Sequence, residues 1–266
     1  MELLQTETDI GLIRHNNEDT ALAISHPKNK RIKLLLVADG MGGKAYCEIA
    51  SKYVTSSIEK WFINKNPKEL NAIEKIEALL RRLIKKLNND LIKEYGINKL
   101  GTTLTLALIT YRKTLFLNIG DSRGYLFRNY ELIQITEDDS DVWNYYKYAR
   151  IKKDDLRFFS NNNIINACIG LSEELCTVST VIVDNNYEML LLFTDGVTDL
   201  ITDKKINKII KSNNKHDILK KIINEAVNVN QHLHIPIRLL RKKYVKYIVP
   251  FKGRDNATGA LYIKEV

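Results

Sequence analysis

Four aspartates stand at glycine-marked corners of this chain. Asp39 ends the apolar run Leu34-Leu35-Leu36-Val37-Ala38 and is followed by Gly40, Gly42 and Gly43. Asp121 lies in Gly120-Asp121-Ser122, Asp195 in Thr194-Asp195-Gly196, and Asp255 in Gly253-Arg254-Asp255-Asn256. Of the twelve glycines in the chain, ten lie beside these corners or the turns next to them, so glycine is spent on sharp reversals and close backbone approach. Acids on tight turns at strand ends can converge on one edge of a sheet. Carboxylates gathered there repel one another, and a pair of divalent cations relieves the repulsion. No His or Cys lies in these corners, and oxygen-only donors favour Mg²⁺ or Mn²⁺ over zinc. Two such ions about 3.5–4 Å apart can activate a shared water for in-line attack on phosphorus. Four ordinary turns would use the same residue types, because Asp and Gly favour turns on conformational grounds alone. Spacing leaves these two readings level.

A further polar turn carries Arg14, Glu18 and Asp19 just before the short apolar run 20–24. Two acids with an arginine four residues ahead of the first suit either local charge pairing or a cation ligand beside an anion-binding arginine.

The elements that would hold these corners can be read from periodicity. The run 32–38 is short and apolar throughout, as a buried strand is. Ile49, Tyr53, Val54, Ile58, Trp61 and Phe62 form one helical stripe that ends near Asn66-Pro67. Leu70, Ile73, Ile76, Leu80, Leu83, Leu87 and Leu91 predict a second helix, stopped by Gly96. Two helices in succession argue for an α+β chain rather than βαβ crossovers. Strands are predicted over 102–111, 114–119, 123–128 and 131–136, joined so tightly that antiparallel hairpins are expected. A short helix and surface loop fill 137–159. Strands follow over 177–183 and 188–193, helices over 204–211 and 216–229, and a last strand over 257–263.

Composition sets limits. The chain has 266 residues, 44% of them apolar and 27% charged, as in a soluble globular protein. It shows no apolar run near the roughly 20 residues that span a bilayer and no secretory signal. Three scattered cysteines, Cys47, Cys168 and Cys176, make neither a metal nor a disulfide pattern, and cytoplasmic, reduced thiols are expected. The net charge of +9 comes largely from lysines spread over helix faces, so nucleic acid is set aside as a partner.

In order along the chain, Arg14-x-x-Asn17-Glu18-Asp19, Val37-Ala38-Asp39-Gly40-Met41-Gly42-Gly43, Gly101-Thr102-Thr103, Gly120-Asp121-Ser122-Arg123, Thr194-Asp195-Gly196 and Gly253-Arg254-Asp255-Asn256 resemble the motifs of PP2C-type (PPM) serine/threonine phosphatases of the bacterial-type branch. Thr136-Glu137-Asp138-Asp139-Ser140 is similar to a further family motif, Thr-x-Asp-His-Ser. Each piece is weak, but six in register from about Gly11 to Ile263 are specific. The resemblance implies one domain over 1–266, built as a four-layer α/β/β/α sandwich: two antiparallel sheets flanked by helix pairs. It implies that Asp39 bridges two divalent cations, Mn²⁺ or Mg²⁺. The Gly40 carbonyl and Glu18 complete one ion's shell, and Asp195 and Asp255 hold the other. Asp121 would join Asp195 at a third, weaker ion. Arg14 would grip two phosphate oxygens with its planar fork, and Asp19 and Asn256 would orient ligands from behind. The implied reaction is attack by a metal-bridged hydroxide on phosphoserine or phosphothreonine in proteins, opposing a Ser/Thr kinase.

Three departures stand out. Met41 replaces the histidine that eukaryotic members carry after Asp-Gly. The segment after Asp139, where the family has a variable flap, is short and rich in tyrosine. A basic insertion at about 231–250 carries His232, His234, Arg238, Arg241, Lys242, Lys243 and Lys246, with Tyr244 and Tyr247 between them. That insertion reads either as a solvated helix or as a docking surface for an acidic partner. Two rival functions accompany the main one: a catalytically weak docking module on the same fold, and a hydrolase of small phosphate esters.

Overall fold

Strict alternation along the strands decides the layering. In β3 (Asn29–Gly42), Leu34 and Leu36 join one apolar cluster while Leu35 and Val37 join another. In β10 (Met189–Phe193), Leu190 and Leu192 meet that second cluster and Leu191 and Phe193 a third. Strands buried on both faces require a layer on each side. The computed structural model, which describes residues 2–42, 47–148, 151–159, 164–174, 178–229 and 255–265, has that arrangement.

One sheet runs β1 (Leu3–Asp9), β11 (Ala257–Ile263), β10, β7 (Arg123–Arg128), β8 (Glu131–Gln134). The other runs β2 (Asp19–His26), β3, β5 (Leu104–Ile109), β6 (Lys113–Ile119), β9 (Ser179–Asp184), with β4 (Leu100–Thr102) added on β3. All pairings are antiparallel. Helices α1 (Cys47–Asn64) and α3 (Ile73–Tyr95) supply one outer layer, packed against Leu34, Leu36, Leu106 and Leu117. Helices α6 (Asp203–Ser212) and α7 (Ile218–Val227) supply the other, packed against Leu191, Phe193 and Leu261. The expected α/β/β/α sandwich is the fold observed.

Several expectations change in detail. The second helix does not begin at Leu70. A separate turn, α2 (Pro67–Leu70), ends there, and α3 starts at Ile73, with Ile84 fully buried and Leu83 half-buried against the same cluster. The single strand expected over 102–111 divides at Thr103 into β4 and β5. More consequential is the corner Gly120-Asp121-Ser122, which is not a hairpin. Strand β6 belongs to one sheet and β7 to the other, so the chain passes between layers there. Gly120 makes the passage with φ +96°, and a Cβ at that position would lie 2.6 Å from Thr103 Cγ2. Strand β1 had no signal in sequence, because Leu3-Leu4-Gln5-Thr6-Glu7-Thr8-Asp9 is a half-exposed edge with little apolar contrast. The expected insertion at 231–250, with its docking residues Arg238 to Tyr247, lies outside the described residues.

The topology puts the acid corners at one end of the sandwich. Asp39 and Asp19 face each other in the β3–β2 register. Asp195 follows β10 where that strand pairs with the start of β11, directly after Asp255-Asn256.

Candidate active site

Asp39 is fixed by its backbone. Its N–H donates to Thr103 Oγ1 (3.0 Å), and its carbonyl accepts from Thr102 Oγ1 (3.0 Å) and Thr103 N (2.9 Å). The carboxyl is thereby left to the space at the strand end. Gly40 N–H donates to the Glu18 carbonyl at 3.2 Å, which ties the β3 corner to the loop carrying Arg14 and Glu18.

Asp195 opens a helical turn, α5 (Asp195–Thr198), whose close fit explains the Asp-Gly pair. A Cβ on residue 196 would sit 2.0 Å from the Asn256 carbonyl oxygen, so only glycine lets the two corners touch. Asn256, 2% exposed, then acts as a clamp. Its Oδ1 accepts from Glu18 N (2.9 Å), and its Nδ2 donates to the carbonyls of Ile10 (2.9 Å) and Asn16 (3.0 Å). One buried amide thus holds both flanks of the Arg14 loop. Asp19 is buried behind Asp39 and accepts from Thr194 Oγ1 at 2.9 Å.

Arg14 is half exposed and already holds acids. Its Nη2 lies 2.7 Å from Asp255 Oδ2, and its Nη1 lies 3.7 Å from Glu18 Oε2. Partial burial opposes its charge, while the hydrogen bond and charge of Asp255, with Glu18 and Asp39, hold its pKa above the usual value.

Asp121 is almost wholly buried, at the crossing between sheets. The segment after β8 fastens its corner. Asp139 N–H donates to the Gly120 carbonyl (2.9 Å), Gly120 N–H to Asp139 Oδ2 (3.3 Å), and Asn118 Nδ2 to the carbonyls of Gly120 and Glu137 (both 2.9 Å).

The electrostatics show which acids share a field. Burial raises Asp39 well above the carboxylate range, and the charges of Asp19, Asp195, Asp121 and Asp255 raise it further. Asp121 is raised by burial, then by Asp195, Asp138 and Asp199. Asp195 is pushed up to about 7 by burial and by Asp255 and Asp199, partly offset by a hydrogen bond with Asp39. Asp39, Asp121, Asp195 and Asp255 therefore act on one another, with Arg14 and Glu18 on the exposed side.

No three His, Cys, Asp or Glu side chains among the described residues close tightly enough around one point to hold an ion as they stand. The chemistry of the set still fits hard divalent cations. The donors are all oxygen, they repel one another, and Asp195 Oδ1 is buried with no hydrogen-bond partner.

Sequence reasoning had given no role to Thr103, Thr194, Thr258 or Thr8. Thr102-Thr103 and Thr194 do sit inside the family motifs, so position was a usable signal. The contact between the Thr8 and Thr258 hydroxyls (2.7 Å) joins residues 250 apart and had none. Arg123 and Asp138 also lie within the motifs, but nothing in the sequence pairs them: Nε lies 2.9 and 3.0 Å from the two carboxylate oxygens, and Nη2 lies 2.6 Å from Oδ2.

The family model described as "Protein phosphatase 2C" matches residues 14–231. The Listeria monocytogenes serine/threonine phosphatase stp is 31% identical over 257 residues, covering 93% of this chain and 97% of that one. The Mycobacterium tuberculosis serine/threonine protein phosphatase PstP is 31% identical over 199 residues, 75% of this chain and 37% of that protein. The crystal structure of the Staphylococcus aureus serine/threonine phosphatase Stp1 superposes with a TM-score of 0.81 at 28% identity, covering 100% of this chain and 96% of that one. A structure of the PstP catalytic domain in complex with two manganese ions superposes with a TM-score of 0.73 at 26% identity, covering 98% and 97%. The chain belongs to the protein phosphatase 2C family.

Proposed function

We propose that this chain hydrolyses phosphoserine and phosphothreonine in proteins, assisted by two divalent cations, Mn²⁺ or Mg²⁺, with a third, weaker one at Asp121. The observation that carries the reading is the mutually repelling set Asp39, Asp121, Asp195 and Asp255, with the buried, unpartnered Asp195 Oδ1 inside it. The residues that would hold the ions are Asp39, Glu18, the Gly40 carbonyl, Asp195 and Asp255. When bound, such ions supply positive charge to the phosphate and make water more acidic.

The chain's own residues do the rest. Arg14, now spread over Asp255 and Glu18, is free to turn its fork to two phosphate oxygens once those acids are otherwise neutralised. Asn256 keeps the Arg14 loop in register with the Asp255 corner. Asp19, held by Thr194, backs Asp39 across the β2–β3 pair. Met41 has no proton to transfer, so this chain offers no general acid at that position.

The reaction removes what a Ser/Thr kinase adds. We assign residues 1–266 to one phosphatase domain and place it in the cytoplasm. No helix among the described residues is long and apolar enough to cross a membrane. The test is competition between a phosphothreonine peptide and p-nitrophenyl phosphate for wild type and Arg14→Ala. The peptide should be preferred, and the variant should lose most turnover of both. A strong preference for the small ester would assign the site to small phosphates instead.

A further inference from the structure

The crevice beside Asp121 and Asp195, with Val142 of helix α4 (Asp141–Tyr148) in its wall, belongs to the acid cluster. A larger cavity, of about 300 Å³, opens at the opposite end of the sandwich. The strands set the separation. Lys33, in the cavity wall, and Asp39 are six residues apart on β3, roughly 20 Å at the rise of a strand. Tyr187 precedes β10 and Lys264 follows β11, whereas Asp195 follows β10 and Asp255 precedes β11.

The wall is built around a buried ammonium. Lys33 is 2% exposed. Its Nζ donates to Glu2 Oε2 and to the Lys30 carbonyl, both at 2.9 Å, and stands 5.1 Å from the centre of the Tyr262 ring. Tyr262 OH donates to Glu2 Oε1 at 2.8 Å. An ion pair is costlier to bury than an apolar contact of the same size, and the acid cluster makes no use of this one. The Glu2 side chain is 42% exposed, so its carboxylate keeps acceptor capacity toward the cavity it lines. The adjoining wall is equally fixed. Thr114 Oγ1 donates to Asn185 Oδ1 at 2.6 Å and lies 2.7 Å from the hydroxyl of the buried Tyr187. Asn185 Nδ2 donates to the Thr110 carbonyl at 2.8 Å.

Glu2 offsets the charge of Lys33, but two further cations line the cavity. Arg31 and Lys264 are both exposed, and neither forms an ion pair among the described residues. Lys264 Nζ donates only to an uncharged group, the Asn185 carbonyl, at 3.0 Å. The cavity thus combines a surplus of two positive charges, tyrosine rings with Ile109 beside them, and a partly open carboxylate. Small-ligand sites have this make-up: apolar and aromatic walls with a few placed polar groups.

We propose that this cavity binds a nucleoside monophosphate, with the phosphate on Arg31 and Lys264, the base against Tyr187 and Tyr262, and a base N–H donating to Glu2. A phosphate dianion matches the two cations without an acid of their own. Inorganic phosphate would leave the aromatic wall and the Glu2 oxygens unused, and an uncharged ring would leave the cations so. The site is independent of the phosphatase reading, since none of its residues belongs to the acid cluster.

The experiment is isothermal titration of adenosine 5′-monophosphate into the full chain with Mn²⁺ present. Adenosine and inorganic phosphate are titrated in parallel. Affinity for the nucleotide should fall about tenfold or more in the double variant Arg31→Gln, Lys264→Gln, and stay within about twofold of wild type in Arg14→Ala. Both cations are exposed, so the double variant should keep its fold and its turnover of p-nitrophenyl phosphate. Adenosine and inorganic phosphate should each bind at least about tenfold more weakly than the nucleotide. Inorganic phosphate binding as tightly as the nucleotide would overturn the assignment. Binding lost in Arg14→Ala but kept in the double variant would place the nucleotide at the acid cluster and overturn it too, as would no heat of binding at about 1 mM nucleotide.

Discussion

Replacing Asn256 by Asp tests the clamp on the Arg14 loop with almost no change of shape. The native amide makes three hydrogen bonds: it accepts from Glu18 N and donates to the carbonyls of Ile10 and Asn16. A carboxylate keeps the first and turns the other two into oxygen facing oxygen, next to Asp255. At about 1 kcal/mol net per hydrogen bond, losing two costs roughly 2 kcal/mol, and the buried repulsion adds to that. Ile10 and Asn16 lie on the exposed side of the loop, so water can re-satisfy part of the loss in Asn256→Ala. The order expected from urea unfolding is wild type, then Ala about 2 kcal/mol lower, then Asp lowest, with the slope m unchanged. Phosphopeptide kcat/KM should fall about 10- to 100-fold in both, because a loop free to move by an ångström misplaces the guanidinium. An Asp variant as stable as wild type would refute the clamp. Normal kinetics in a destabilised variant would refute its link to Arg14.

Gly120→Ala forces a side chain into a φ of +96° and against Thr103; thermal unfolding should show a loss of about 2 kcal/mol or more, and a wild-type melting curve would contradict the geometry of the crossing. Arg14→Lys keeps the charge but not the fork, and about a tenfold fall in kcat/KM for phosphopeptide is expected, with unfolding unchanged. The acid cluster also predicts a pH dependence. Asp39, Asp121 and Asp195 hold protons in the folded state that the unfolded chain has already released. Folded pKa values above the unfolded ones make stability fall as pH rises, from about 4 up to about 7 for Asp195. In EDTA, Tm should therefore drop between pH 5.5 and 7.5, Asp195→Asn should flatten the slope, and saturating Mn²⁺ should cancel it. A rising Tm in EDTA, with no difference between wild type and variant, would count against a repelling cluster.

Much of this fold is legible because its strands are buried on both faces. The run at Leu34 to Ala38 could be nothing but interior, and the helix stripes of α1, α6 and α7 repeat cleanly. Edge strand β1 was not legible, since half-exposed Thr and Glu carry no period against a polar background. The crossing at Gly120 was misread as a hairpin because loop length alone cannot tell a turn within a sheet from a step between sheets. The acids Asp39, Asp121, Asp195 and Asp255 stood out through their glycines, which sharp turns and close backbone approach both favour. Their supports were less visible: Thr194, Arg123 and Asp138 lie within the motifs but show no partner in sequence, Thr258 carries no signal, and only three-dimensional neighbourhood pairs them.

The central claim, that the acid cluster hydrolyses protein phosphate with divalent cations, is met most directly by phosphate release from a phosphothreonine peptide. Wild type and Asp39→Asn would be assayed with Mn²⁺, with Mg²⁺ and with EDTA. The account predicts turnover by wild type only when a cation is present, abolished by EDTA, and reduced about a thousandfold or more in Asp39→Asn despite a native fold. Turnover that survives EDTA, or an Asp39→Asn protein as active as wild type, would contradict it.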